Sequence, residues 1–193
     1  MLVLPLPSPW CPDTRDIVRH AVAPDTLSWL REAGSITARL RARWPTLAVE
    51  VLDEGLRSPA ADEGECLGLA ADAACWVREV RLQVPGQVLV RARTVIPDWG
   101  GHNPWQAVAT LGRRPLGELL FSLPGLQRSP LEFAWVGLRP QAGTERALAT
   151  PARRRVHRRG GAPLLLTEAF DFLAAPVTGA IRPAVAPPAP HSV

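Results

Sequence analysis

CWVREVRLQVPGQVLVRARTVIP, residues 75–97, consists of two alternating runs joined at Pro85-Gly86. Successive side chains of a strand point to opposite faces, and Pro-Gly between alternating runs signals a hairpin. The stretch predicts two antiparallel strands, over 75–84 and 87–97. On the first, Trp76, Arg78, Val80 and Leu82 share a face, and Val77, Glu79, Arg81 and Gln83 share the other. The first face is apolar except for Arg78. On the second strand, Arg91 and Arg93 alternate with Val90, Ala92 and Thr94. Arg91 reads as a solvated residue of an edge strand. Arg93 stays open between that reading and a second anion contact.

PLLLTEAF, residues 163–170, poses the same problem. Its alternation groups Leu164, Leu166, Glu168 and Phe170, which leaves one acid on an apolar face. An unpaired buried charge is costly, so such a group is paired, neutralised or placed to meet a ligand. Three explanations stay open for Arg78 and Glu168. They pair with each other, or a one-residue slip of register exposes one of them. Alternatively, a closed pocket holds a planar carboxylate against Arg78 while Glu168 faces a hydroxyl.

Working outward, LAVEVLDEGL (47–56) and LEFAWVGLR (131–139) alternate well enough for strands. ARRRVHRR (152–159) and 163–173 form a second predicted hairpin across Gly160-Gly161. Asp25-Thr26 caps a short helix, Ser35 caps another that stops before Pro45, and Pro115 opens a third over PLGELLF. Residues 105–111 read as a helical turn, and 57–72 and 98–104 as loops. The Pro-rich residues 1–24 are expected to form an extended arm. The Ala/Pro-biased tail, 176–193, is expected to be disordered. The fold class is α+β: one domain over 25–175, a six-stranded antiparallel sheet with short helices covering an internal ligand site.

All 22 cationic side chains are arginine; the chain has no lysine and no tyrosine. That excludes Schiff-base chemistry, pyridoxal held on lysine and a tyrosine general acid. The net charge of +4 favours anionic partners. The dense basic run at 152–159 suits phosphate contacts. However, it lacks interleaved aromatics for base stacking, so ion-paired and solvated arginines on a strand are the favoured reading and no nucleic-acid partner is expected. His20, His102, His157 and His191 are scattered and share no metal-ligand spacing with Cys11, Cys66 or Cys75. No GxSxG elbow occurs, and Ser35-Ile36-Thr37 reads from its spacing as a helix start. No apolar run approaches the roughly 20 residues that span a bilayer, and the N-terminus lacks a basic signal region. A reduced, cytoplasmic monomer without membrane insertion is expected.

GSITARL (34–40), WVREVRL (76–82), RARTVIP (91–97), RRPLGELLF (113–121) and ARRRVHRRGGAPLLLTEAF (152–170), in that order, resemble the chorismate pyruvate-lyase family over about residues 25–173. The resemblance implies cleavage of chorismate to 4-hydroxybenzoate and pyruvate, the first committed step of ubiquinone synthesis, with no metal or organic cofactor. It also implies an internal site closed by flap-like helical segments. By position, Arg78 resembles the arginine that binds the ring carboxylate, and Glu168 the glutamate at the ring hydroxyl. Leu116 matches a position where the backbone contacts the ligand. Ile36 matches a binding position usually filled by methionine, and residues 98–112 depart from the family pattern. Two roles stay open for Glu168: an acid that protonates the leaving oxygen, or an ionised group that orients the hydroxyl. A rival reading is a small-molecule-sensing effector domain of a transcription regulator. Such domains follow a winged-helix domain, and the roughly 24 residues before the first predicted helix are too few for one.

Overall fold

The Pro85-Gly86 hairpin forms in the expected register, with Val84 opposite Gln87 and Trp76 opposite Ile96. The second hairpin closes with Arg159 opposite Ala162. Its turn residues Gly160 and Gly161 have φ of 55° and 83°. Two consecutive positive φ values suit the right-handed strand twist and favour glycine at both positions.

The computed structural model describes residues 10–20, 23–138 and 148–176. Its strands are β1 (Ala48–Arg57), β2 (Cys75–Val84), β3 (Gln87–Ile96), β4 (Gln127–Arg128), β5 (Glu132–Leu138), β6 (Leu148–Arg159), β7 (Ala162–Ala169) and β8 (Ala175–Pro176). The helices are α1 (Arg15–His20), α2 (Thr26–Leu30), α3 (Ile36–Arg43), α4 (Ala61–Leu67) and α5 (Leu116–Ser122). All named pairings are antiparallel, in the order β1-β2-β3-β7-β6-β4, with β5 and β8 also on β6. The six expected strands are the long ones. The sheet has eight because β4 and β8, two residues each, add to β6 and are too short to carry an alternation.

The two hairpins join through β3 and β7, where Ala92 faces Glu168 and Thr94 faces Leu166. One face of the sheet packs Cys75, Val77, Val95, Val156 and Leu165 with Cys66, Leu67, Leu69 and Ala73. Residues 61–67, expected as loop, form α4 beside this cluster. Glu63 turns back to accept the Ala60 N–H at 2.8 Å, and Gly68 ends the helix at φ 69°. Gly64 and three acids in so short a helix hide its periodicity. Residues 15–20, expected as part of the extended arm, form α1. Asp13 Oδ1 accepts the Arg15 N–H at 2.9 Å, and Ile17 is buried in the core. Residues 1–9 of the arm and 177–193 of the tail lie outside the described residues.

The other face carries α3, α5 and a 3-10 turn over Gln106–Thr110, which forms within the expected 105–111. Two apolar clusters lie there. Trp29, Leu40, Leu82 and Phe170 belong to one; Trp105, Val108, Leu120 and Leu164 belong to the other. Ser35 caps α3 by accepting the Ala38 N–H at 3.2 Å. α3 and α5 meet at Gly117, where an added Cβ would lie 3.0 Å from Ser35 Oγ. Arg41 and Glu118 form an ion pair between the same helices.

Gly117→Val is expected to push these helices apart. A cost of about 1–3 kcal/mol follows from overpacking, so Tm should fall by several degrees. Amide exchange should accelerate across residues 36–43 and 116–122 and stay unchanged in β2, β3 and β7. Exchange that is equally slow in both helices contradicts the contact.

Candidate active site

Cross-strand pairing lays the inward side chains in rows. One row runs Glu54 (β1), Arg78 (β2), Thr94 (β3), Leu166 (β7), Arg155 (β6). The next runs Val80, Ala92, Glu168, Arg153 across the last four of these strands. All of these side chains except Glu54 line one cavity, together with Val49, Leu82 and His157. Its cover is the start of α3 (Ile36, Thr37) and of α5 (Leu116, Gly117), with Leu120 and Phe121 further along. The structure therefore brings Arg78, Glu168, Ile36 and Leu116 to a single space. Arg78 and Glu168 stand diagonally across β3, two strand spacings apart and two residues offset. Their Cα atoms are thus about 12 Å apart, and the floor between them is Val80, Ala92, Thr94 and Leu166.

Arg78 is 2% exposed. It donates to Glu54 Oε1 at 3.1 Å and to the Gly112 carbonyl at 2.6 Å. Glu168 Oε2 accepts from Arg153 Nε at 2.7 Å, and Arg153 Nη1 also donates to the Glu32 carbonyl at 2.7 Å. The two stranded charges thus pair with other residues and not with each other, and neither points to bulk water. A guanidinium has five N–H donors, so the two bonds of Arg78 leave donors for a ligand carboxylate. Leaving out Arg154, whose side chain turns to the opposite face, the cavity lining holds five arginines (Arg78, Arg114, Arg128, Arg153 and Arg155) against two acids, Glu32 and Glu168. Its positive potential selects for anions. Ile36 and Leu116 are the first residues of their helices, and a helix leaves its first N–H groups without an intrahelical acceptor.

Residues 10–178 match the family model described as chorismate lyase. The chain belongs to the chorismate lyase family. It is 40% identical over 146 residues to a probable chorismate pyruvate-lyase of Hydrogenovibrio crunogenus, covering 74% of this chain and 79% of that one. It is 38% identical over 163 residues to another from Albidiferax ferrireducens, covering 77% and 82%. Among solved structures it resembles the effector domain of PhnF from Mycobacterium smegmatis, with a TM-score of 0.52 and 14% identity, over 71% of this chain and 88% of that one. That likeness is one of fold alone.

For a chorismate lyase-family chain, several arginines have roles other than those expected. Arg91 is not solvated: its Nε donates to Asp171 Oδ2 at 2.7 Å. Arg93 lies on the face away from the cavity and binds Glu63 through Nε at 2.7 Å and Nη2 at 3.1 Å, and Glu79 through Nη1 at 2.6 Å. This triad leaves it committed to two acids, which opposes the second-anion-contact reading. Arg154 is held by Glu132 and Asp62 on that same face. Arg153, Arg155 and His157 escaped the sequence reading. The signal was present in ARRRVHRR, since period-two alternation puts these three on one face, opposite Glu168, Leu166 and Leu164.

His157 is 5% exposed, and its Nδ1 has no hydrogen-bond partner among the described residues. Burial first, then the charges of Arg155, Arg128 and Arg153, push its pKa down to about 4. Its ordinary value is about 6.5. Between these values the unfolded chain binds a proton that the native chain does not, so stability rises with pH. The chain should lose up to about 3 kcal/mol as pH falls from 6.5 to 4. His157→Leu should remove most of that slope in urea titrations made across this range. An equally steep slope in the variant contradicts the assignment.

Proposed function

We propose that this chain eliminates pyruvate from chorismate to give 4-hydroxybenzoate, the first committed step of ubiquinone synthesis. The observation that carries the reading is the placement of a buried guanidinium and a carboxylate at opposite ends of one apolar floor. In this reading the ring carboxylate lies on Arg78, whose planar fork suits it. The C4 hydroxyl lies at Glu168. The ring spans Val80, Ala92, Thr94 and Leu166, and Ile36 and Leu116 close over it through their main chain.

The chemistry needs little force from the protein. The C3–O bond breaks and its electron pair leaves with the enolpyruvyl oxygen. The C4 proton is lost, the ring becomes aromatic, and the released enolpyruvate takes a proton at its methylene carbon to become pyruvate. Aromatisation drives the reaction, so the protein holds the ring and stabilises charge on the departing group. Donors fixed in a water-poor space act strongly on that charge. Glu168 accepts a charge-assisted hydrogen bond from Arg153. This supports the ionised, hydroxyl-orienting role over the proton donor. No cofactor enters the reading.

The chain is proposed to act as a cytoplasmic monomer. Among the described residues no helix is long and apolar enough to cross a membrane. Nucleic acid is not a proposed partner: within 152–159, Arg153, Arg154 and His157 are buried, Arg155 and Arg159 are partly so, and Arg158 alone is exposed.

Purified protein given chorismate should release 4-hydroxybenzoate, identified by absorbance and chromatography. Saturable binding without turnover would favour the sensor reading instead. Arg78→Ala should lower kcat/KM by about 100-fold or more, ~3 kcal/mol of transition-state binding, while near-UV circular dichroism stays native. Glu168→Gln should also cause a large fall in kcat. Normal turnover by a folded Arg78→Ala variant removes the assignment.

A further inference from the structure

Among the described residues, four buried side-chain polar atoms lack a hydrogen-bond partner. Two of them, Arg155 Nε and His157 Nδ1, belong to residues lining the cavity. Both lie on β6, two residues apart, on the inward face. Native proteins leave few such atoms, and each asks for an explanation. A partly buried guanidinium without an acid partner is the more costly of the two. Arg155 has Arg153 on its own strand and Arg128 nearby. Burial first, then these two cations, push its pKa down, and the Glu168 carboxylate opposes them. The place is built for a negative charge that none of the described residues supplies.

Its position says which charge. Arg155 shares a row with Arg78, three strand spacings away, or roughly 14 Å between Cα atoms. Glu168 is its diagonal neighbour, about 7–8 Å off. A ring held by a carboxylate on Arg78 and a hydroxyl at Glu168 turns one of the two carbons beside the hydroxyl-bearing one toward β6, and the unpaired Arg155 there favours the face of the ring that puts the anionic substituent on that side. That carbon carries the enolpyruvyl ether. We infer that Arg155, assisted by the His157 ring, forms a second anion subsite that binds the carboxylate of the departing enolpyruvyl group. The inference rests on the lyase reading for the identity of the ligand, and on the unpaired guanidinium for the existence of the subsite. Arg78 and Arg155 then divide the two carboxylates of one dianion, and Glu168 fixes which carboxylate goes to which. His157, neutral at pH 7, adds a hydrogen-bonding group without adding charge. When the C3–O electron pair leaves, the new charge lies on the fragment whose carboxylate Arg155 holds, so the subsite acts on bond breaking as well as on binding.

The test compares two rings that do not react. One is 4-hydroxybenzoate; the other is the same ring carrying a carboxymethoxy group beside the hydroxyl. The wild-type chain should bind the dicarboxylate at least 10-fold more tightly, measured by tryptophan fluorescence. Arg155→Met should abolish that preference, change affinity for 4-hydroxybenzoate by less than 3-fold, and lower kcat/KM for chorismate by about 100-fold. Arg158→Met, an exposed change in the same basic run, should alter none of these. If Arg155→Met does not fold, Arg155→Lys, which keeps the charge and loses the fork, should show a smaller preference than wild type. A wild-type chain that binds both rings equally, or a variant that weakens both equally, overturns the subsite. A wild-type chain that prefers the dicarboxylate through Arg155 yet does not turn over chorismate overturns the lyase reading and leaves the subsite standing.

Discussion

A buried guanidinium must meet a negative charge, and this structure depends on how that requirement is met at Arg78. At 2% exposure, Arg78 has exchanged water for one carboxylate and one carbonyl. That is enough to keep the charge inside and too little to use all of its donors. The same incomplete satisfaction recurs around the cavity. Arg153 is shared between Glu168 and main-chain carbonyls, while Arg155 has no acid of its own among the described residues. On the opposite face the rule is different. There Arg93 and Arg154 are each bound by two acids. One sheet therefore carries neutralised arginines on its structural face and under-neutralised ones on its cavity face. The second set keeps its potential for a ligand at some cost to stability.

Topology makes this arrangement possible. Each hairpin places its own share of the charges: β2–β3 carries Arg78, and β6–β7 carries Glu168, Arg153 and Arg155. The β3–β7 pairing sets the two groups at a fixed diagonal across Ala92 and Thr94. Small residues at those two positions leave room above the sheet. The cover is made of short helices held to each other by one glycine contact and one exposed ion pair. Exposed pairs contribute little, so the floor is the rigid part of the site and the cover the part suited to opening.

Much of this was legible in the chain. Alternation locates the six long strands, and the single charge on each of two apolar faces marks Arg78 and Glu168 in the sequence itself. What alternation cannot give is the partner. Nothing local in the sequence says that Arg78 turns to Glu54 or that Glu168 takes Arg153, since those choices depend on which strands become neighbours. The same limit applied to Arg91 and Arg93, whose acids come from Asp171, Glu63 and Glu79. α4 was hidden by its brevity and by Gly64 inside it, and α1 by the prolines before it. ARRRVHRR reads as a strand of partly solvated and partly ion-paired arginines because five arginines in eight residues outweigh their alternation, yet that alternation turns Arg153, Arg155 and His157 into the cavity.

The account comes down to the orientation of one ring between two charges. A crystal structure of the chain with bound 4-hydroxybenzoate tests this most directly. The account predicts the carboxylate within hydrogen-bond distance of Arg78 and the hydroxyl at the free oxygen of Glu168. A ring bound in the reverse sense, or outside the space between β2, β7 and the two covering helices, would contradict it.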